Sequence, residues 1–328
     1  MREFEYERAE QIEEAIAAAL APQTKYLAGG TNLLDLMKGD VERPVRIVDI
    51  NRLPLAQIVQ YPNGGVRIGA MVRNSDVADH PYIREHYPLL SQALLAGASA
   101  QLRNMASVGG NLLQRTRCYY FYDTAFPSCN KRDPGTGCAA RDGFNRIHAI
   151  FGASEHCVAT HPSDMAVALA ALDAVVEVRG HDGTRRIPID QFYRLPEDIP
   201  AIDTTLAPGE LILAVELPPS RFSAHSHYLK VRDRSSYAFA LVSVAAALHQ
   251  QDGKVIDARI VLGGVAHKPW RVKNAERQLI GSPLDGGAIE AAARASVEGA
   301  QPLQDNAFKI DLARRAVVQA LQVAEASS

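Results

Sequence analysis

The sequence predicts a two-domain chain that mixes helices with strands. Three observations lead there. At 328 residues and 35.6 kDa, the chain is too long for one small core. Its 47% hydrophobic and 22% charged residues match an ordinary soluble globular protein. The hydrophobic period switches repeatedly between helix-like and strand-like, and Pro218-Pro219-Ser220 breaks it at the best domain boundary.

Residues 7–20 predict a helix, with apolar Ile12, Ala15, Ile16, Ala19 and Leu20 and acids near the start; Pro22 ends it. Lys25 through Met37 predicts strand, glycine turn and helix. Residues 45–50 and 66–70 read as short buried strands, the second entered through Asn63-Gly64-Gly65. Residues 87–99 read as a Leu- and Ala-rich helix. Residues 163–172 read as another, with Ser163 or the preceding turn as its N-cap. Residues 174–179 and 184–188 flank His181-Asp182-Gly183 as a hairpin, and 211–217 is a strand. Beyond the prolines come a strand at 227–232, a run at 237–249 that periodicity leaves open, a strand at 254–262, and helices near 271–280, 287–298 and 309–324.

The formal net charge is −2, with scattered basic residues, so no nucleic-acid surface is expected. No stretch is long and apolar enough to span a bilayer, and no signal-peptide core is seen. The expected location is cytoplasmic, or periplasmic if a signal-bearing partner carries the chain out.

Two similar turns lie about 80 residues apart, Ala28-Gly29-Gly30-Thr31-Asn32 and Val108-Gly109-Gly110-Asn111-Leu112. Paired glycines admit positive φ, and consecutive N–H groups at a helix start form an anion-binding concavity. A pyrophosphate suits it. One such pair alone more often marks only a tight turn, and neither turn is a Rossmann fingerprint.

All four cysteines, Cys118, Cys129, Cys138 and Cys157, fall within 40 residues, separated by 10, 8 and 18 others. The surrounding stretch, with Pro127, Pro134 and several glycines, reads as a long loop organised by something other than secondary structure. Four thiols supply the ligands for a 4Fe–4S cluster or a tetrahedral zinc. The spacing alone leaves cluster, zinc and metal-free cysteines open.

The order and spacing of these motifs resemble the flavoprotein subunits of the xanthine dehydrogenase and carbon monoxide dehydrogenase family over nearly the whole chain. Leu27-Ala28-Gly29-Gly30-Thr31-Asn32-Leu33 is similar to the family's first FAD pyrophosphate loop, and Ser107-Val108-Gly109-Gly110-Asn111 to its second. His161-Pro162-Ser163-Asp164 resembles the segment reaching the adenosine part of FAD. Thr205-Leu206-Ala207-Pro208-Gly209 matches the approach to the last strand of the FAD domain. Lys230-Val231-Arg232 falls where the family places groups near the isoalloxazine ring, and Tyr237 is an aromatic candidate to pack on it, although an aromatic at a strand start more often belongs to the core. Gln114-Arg115-Thr116-Arg117-Cys118, the segment from Cys129 to Cys138, and Ser154-Glu155-His156-Cys157 resemble the flavin and iron–sulfur subunit of bacterial periplasmic aldehyde oxidoreductase.

The resemblance implies an α+β fold: a two-part FAD-binding domain of the vanillyl-alcohol-oxidase type over residues 1–219, with an iron–sulfur loop at about 115–160. A smaller α+β domain of the carbon monoxide dehydrogenase flavoprotein type follows over 222–328. FAD would be held by Leu27 to Leu33, Ser107, Gly109, Gly110, Asn111, Ser163, Asp164, Leu206, Lys230, Arg232 and Tyr237. A 4Fe–4S cluster would be held by the four cysteines. The implied activity is electron transfer within a molybdenum-dependent aldehyde oxidoreductase, beside a large molybdenum-cofactor subunit and a small 2Fe–2S subunit, toward an external acceptor. No acid–base residue is expected in this chain. Alternative readings are a subunit like that of 4-hydroxybenzoyl-CoA reductase or xanthine dehydrogenase, or a zinc-stapled assembly module without redox chemistry. Lys230 and Arg232 could equally be a solvated strand edge, His156 and His161 structural or surface residues, and Trp270 a local packing residue.

Overall fold

The computed structural model describes residues 1–327. Three sheets organise it. Strands β1 (Glu5–Arg8), β2 (Thr24–Leu27) and β3 (Arg46–Asp49) form a parallel sheet in the order β1-β3-β2. Helices α1 (Ile12–Ala19) and α2 (Leu33–Lys38) make its crossovers. The expected helix at 7–20 is therefore shorter, because Glu7 and Arg8 belong to β1. All four residues of that strand are exposed, so no alternation of apolar side chains announced it.

Strands β4 (Ile58–Gln60), β5 (Val66–Gly69), β6 (Val175–Gly180), β7 (Gly183–Pro188) and β8 (Leu211–Leu217) form an antiparallel sheet in the order β4-β5-β8-β6-β7. Between β5 and β6 the chain runs through α3 (Asn74–Asp79), α4 (Pro81–His86), α5 (Pro88–Ala96), α6 (Ala100–Arg103), α7 (Val108–Leu112), α8 (Tyr119–Tyr122) and α9 (Asp164–Ala171). The short α10 (Ile189–Phe192) follows β7. Helix α9 is buried along its whole length, and Ser163 caps it as expected, its Oγ accepting from the Ala166 amide at 2.9 Å.

The last sheet is antiparallel: β9 (Ser226–Val231), β10 (Val242–Gln251), β11 (Lys254–Gly263) and β12 (Trp270–Arg271), in the order β12-β11-β10-β9. Helices α11 (Lys273–Leu279), α12 (Gly286–Ala295) and α13 (Phe308–Ala326) back it. The run at 237–249 that periodicity left open is a bend followed by β10. Val242, Val244, Ala246 and Leu248 join the core under the C-terminal helices, while Ala245 and Ala247 join the core around α9. Both faces of β10 are buried, so its sequence is continuously apolar and hides its period. Trp270, expected to pack locally, instead stacks on Phe151, distant in the sequence, at 5.1 Å.

Candidate functional site

A groove in two lobes lies between the parallel sheet, strand β8 of the large antiparallel sheet and the bend between β9 and β10. The lobes measure about 440 and 450 Å3 and share Thr31, Asn32, Gly110 and Gln114. Each is in the range of a small-molecule site.

The first glycine turn follows β2 and opens α2. Gly30 has φ of +72°, which lets the chain reverse there, and a Cβ on Gly29 would lie 1.9 Å from the Met105 carbonyl oxygen. Among the described residues, none of the backbone N–H groups of Gly29, Gly30, Thr31 and Asn32 donates to a backbone carbonyl. Four amides without a backbone partner lie together at this turn, with the Thr31 and Asn32 side chains beside them, where the sequence suggested an anion cradle.

The second turn differs from that expectation. Gly109 and Gly110 lie inside the short helix α7, neither with positive φ. Their amides are occupied: Gly109 donates to the Ala70 carbonyl at 2.8 Å and Gly110 to Ser107 Oγ at 3.2 Å. Glycine is needed for close packing instead, since a Cβ on Gly109 would meet Ala70 Cβ at 3.1 Å. This turn walls the groove without forming a second open nest.

Ala28 to Leu33, Ser107, Gly109, Gly110 and Leu206 line the first lobe. Asn111, Asp164 and Tyr237 line the second with Thr31 and Asn32. Tyr237 is 58% exposed, so it is not a core aromatic. Leu27 ends β2 outside both lobes, and Ser163 faces a side cavity while its hydroxyl donates to Asn111 Oδ1 at 2.6 Å. Lys230 and Arg232 line neither lobe; both reach the Ala96 carbonyl, at 3.2 and 3.1 Å. Lys230 is not a solvated edge, because its side chain is 4% exposed and pairs with Asp164 at 2.8 Å. That contact corrects one expectation. Asp164 and Lys230 cannot lie at opposite ends of an extended dinucleotide when their side chains are bonded; Asp164 lines the second lobe, and Lys230 stands behind it.

Sequence reasoning missed a charged frame around the first lobe. Glu42, Arg115 and Asp203 line it, with Arg115 Nε 2.8 Å from Asp203 Oδ2 and the Arg115 guanidinium also on Glu42. Burial alone would raise the Asp203 carboxyl, but Lys131 and Arg115 hold it below its ordinary value. His161 also lines this lobe, against the Tyr193 ring at 4.5 Å, and burial pushes its imidazole down to about 4. Arg115 lies in a segment that the sequence had already singled out; Asp203 carries no local signal.

The four cysteines meet around one small space of about 10 Å3, room for about one water molecule, beside the first lobe. None is in a disulfide. The Cys138 thiol is pushed down to about 6, chiefly by a hydrogen bond from Cys157, and that bond with burial drives Cys157 up. Burial pushes Cys118 up to about 12. His148 Nε2 lies 3.1 Å from Cys118 Sγ, and His267 Nε2 lies 3.4 Å from Cys157 Sγ; no spacing in the sequence marked either histidine. The set matches an iron–sulfur or zinc site in ligand type, count and burial. Among the described residues, however, no three His, Cys, Asp or Glu side chains form a ready-made single-ion site.

Residues 2–220 match the model of the FAD binding domain in molybdopterin dehydrogenase, and residues 227–324 that of the CO dehydrogenase flavoprotein C-terminal domain. The chain is 53% identical to the aldehyde oxidoreductase FAD-binding subunit PaoB of Escherichia coli (strain K12), over 330 residues covering 100% of both. It is 27% identical to the glyceraldehyde dehydrogenase medium chain of Sulfolobus acidocaldarius, covering 88% of this chain and 85% of that one. The fold matches carbon monoxide dehydrogenase from Hydrogenophaga pseudoflava with a TM-score of 0.78 at 26% identity, over 99% of this chain and 98% of that one. With an open anion cradle at the first glycine turn, a groove of fitting size and both family models satisfied, the chain belongs to the FAD-binding subunits of the molybdenum hydroxylase family.

Proposed function

We propose that this chain is the FAD- and 4Fe–4S-carrying electron-transfer subunit of a molybdenum-dependent aldehyde oxidoreductase. Its partners would be a molybdenum-cofactor large subunit and a 2Fe–2S small subunit, and its electrons would go to an external acceptor. The observation that carries the aldehyde reading is the full-length 53% identity to an aldehyde oxidoreductase FAD-binding subunit. The cluster reading rests on four unbridged, mostly buried cysteines converging beside the groove.

When bound, the two groups supply the electron chemistry, and the protein binds them and tunes their potentials. The amides of Gly29 to Asn32 would hold the FAD pyrophosphate. Asn32 also orients the groove floor, its Oδ1 accepting from the Arg115 amide at 2.8 Å. Gly109, Gly110 and Ser107 shape the opposite wall. Asp164 would act at the second lobe, with Lys230 behind it fixing its carboxylate. Cys118, Cys129, Cys138 and Cys157 would ligate the cluster as thiolates.

An ultraviolet–visible spectrum with iron and flavin assays, on protein purified without air, tests this. Flavin bands with about four irons per chain are expected. Flavin without iron would remove the cluster, zinc in its place would make the loop structural, and the absence of both would overturn the reading. Assays of the assembled complex on aromatic aldehydes and on aromatic acyl-CoA separate an aldehyde oxidoreductase from a benzoyl-CoA-type reductase.

A further inference from the structure

Residues 196–203 form a strap along the outer wall of the first lobe, to which Ala201, Ile202 and Asp203 contribute. The strap contains no helix or strand. Its position is set from the cysteine loop. Lys131, between Cys129 and Cys138, is 2% exposed in its side chain; its Nζ donates to the Pro200 carbonyl at 2.7 Å and to Asp203 Oδ1 at 2.5 Å. Ser154 Oγ donates to the Glu197 carbonyl at 2.8 Å, and His156 Nε2 lies 3.5 Å from Asp198. The other Asp203 oxygen takes Arg115, whose backbone amide is bonded to Asn32 in the first glycine turn. Cysteine loop, strap and cradle thus form one closed chain of contacts around the lobe.

We propose that Lys131 is a positioning residue that clasps the strap over the groove, so that order in the cysteine loop sets how fast FAD leaves the chain. A buried ammonium whose acceptors both lie on the strap has no alternative partner if the strap lifts, so opening carries the cost of an uncompensated charge. The clasp rests on the proposed occupancy of the groove by FAD and not on the aldehyde substrate.

The test follows flavin fluorescence as FAD dissociates from the purified full-length chain and from Lys131→Met, Asp203→Asn, the double variant and Gly110→Val. Lys131→Met and Asp203→Asn are expected to release FAD about tenfold faster or more, with the double variant no faster than the faster single. Trypsin should also cut after Arg194 in Lys131→Met while sparing that bond in the parent. Multiplying effects, or an unchanged release rate, would overturn the clasp. So would faster release that appears only together with an equal loss of melting temperature in the flavin-free chain. Gly110→Val, which fills the point where the lobes meet, separates the premises: if it keeps its flavin, FAD lies elsewhere; if it loses flavin while Lys131→Met releases at the parent rate, the groove stands and the clasp falls.

Discussion

Asp164 and Lys230 join the two domains through a buried ion pair. Asp164 opens α9 in the FAD-binding domain, Lys230 lies on β9 in the C-terminal domain, and their side chains meet at 2.8 Å with 9% and 4% exposure. Tyr228 completes the contact, its hydroxyl 2.7 Å from the other Asp164 oxygen and 2.9 Å from Ser243 Oγ. The second lobe of the groove is thereby walled by a residue whose orientation depends on the other domain.

Removing one partner leaves the other charge buried. Lys230→Met should cost about 3–5 kcal/mol of stability, the range for breaking a buried pair by deleting one side. Lys230→Met with Asp164→Leu should cost less than Lys230→Met alone. Urea denaturation of the parent, both single variants and the double variant checks this, and a double variant less stable than the parent by the sum of both single losses would refute the pairing.

The first glycine turn has no room for a side chain. Gly29→Ala would place a methyl 1.9 Å from the Met105 carbonyl oxygen, which is backbone and cannot swing aside. The turn must move, and the four amides of its cradle move with it. Purified Gly29→Ala should carry much less flavin per chain than the parent, read from the ratio of flavin to protein absorbance. A full flavin complement would show that the cradle is not the cofactor's anchor.

The first turn was legible in the sequence because its geometry is local: strand, two glycines and helix supply every amide of the turn. The cap at Ser163 and the hairpin around Gly183 were readable for the same reason. The charged frame was not, because Lys131 and Asp203 are 72 residues apart and nothing near Asp203 marks it. The paired glycines at 109 and 110 misled, since the same letters serve close packing against Ala70 as readily as positive φ. Strand β10 stayed ambiguous because each of its faces lies in a different core.

Ser163 has two tasks through one hydroxyl. Its Oγ accepts from the Ala166 amide and donates to Asn111 Oδ1, which also accepts from Gln114 Nε2 at 2.9 Å. Ser163→Ala should lose about 1–2 kcal/mol from the cap and free Asn111 at the groove. Ser163→Thr keeps the hydroxyl and should recover most of the loss. Thermal melting of both variants decides; equal losses would mean that the hydroxyl is not the cap.

Lys309 should give the stability a pH dependence of its own. It is fully buried in the first turn of α13, and its ammonium donates to the carbonyls of His148 at 2.9 Å and Gly264 at 2.5 Å, with Ile147 at 3.4 Å. Burial pushes it down to about 7 from 10.5 in the open chain. The unfolded chain therefore binds more protons than the folded one between about pH 7 and 10.5, so this group makes stability rise as pH rises through that window. The carbonyl cage opposes this, because only the charged form can donate to three acceptors. Comparing the parent with Lys309→Met from pH 7 to 9.5 isolates the contribution of this one group. The parent should gain stability relative to the variant as pH rises, while Lys309→Met starts lower at every pH from the lost hydrogen bonds. A difference that stays flat across the window would mean that the cage holds the ammonium charged throughout, and that burial does not control this lysine.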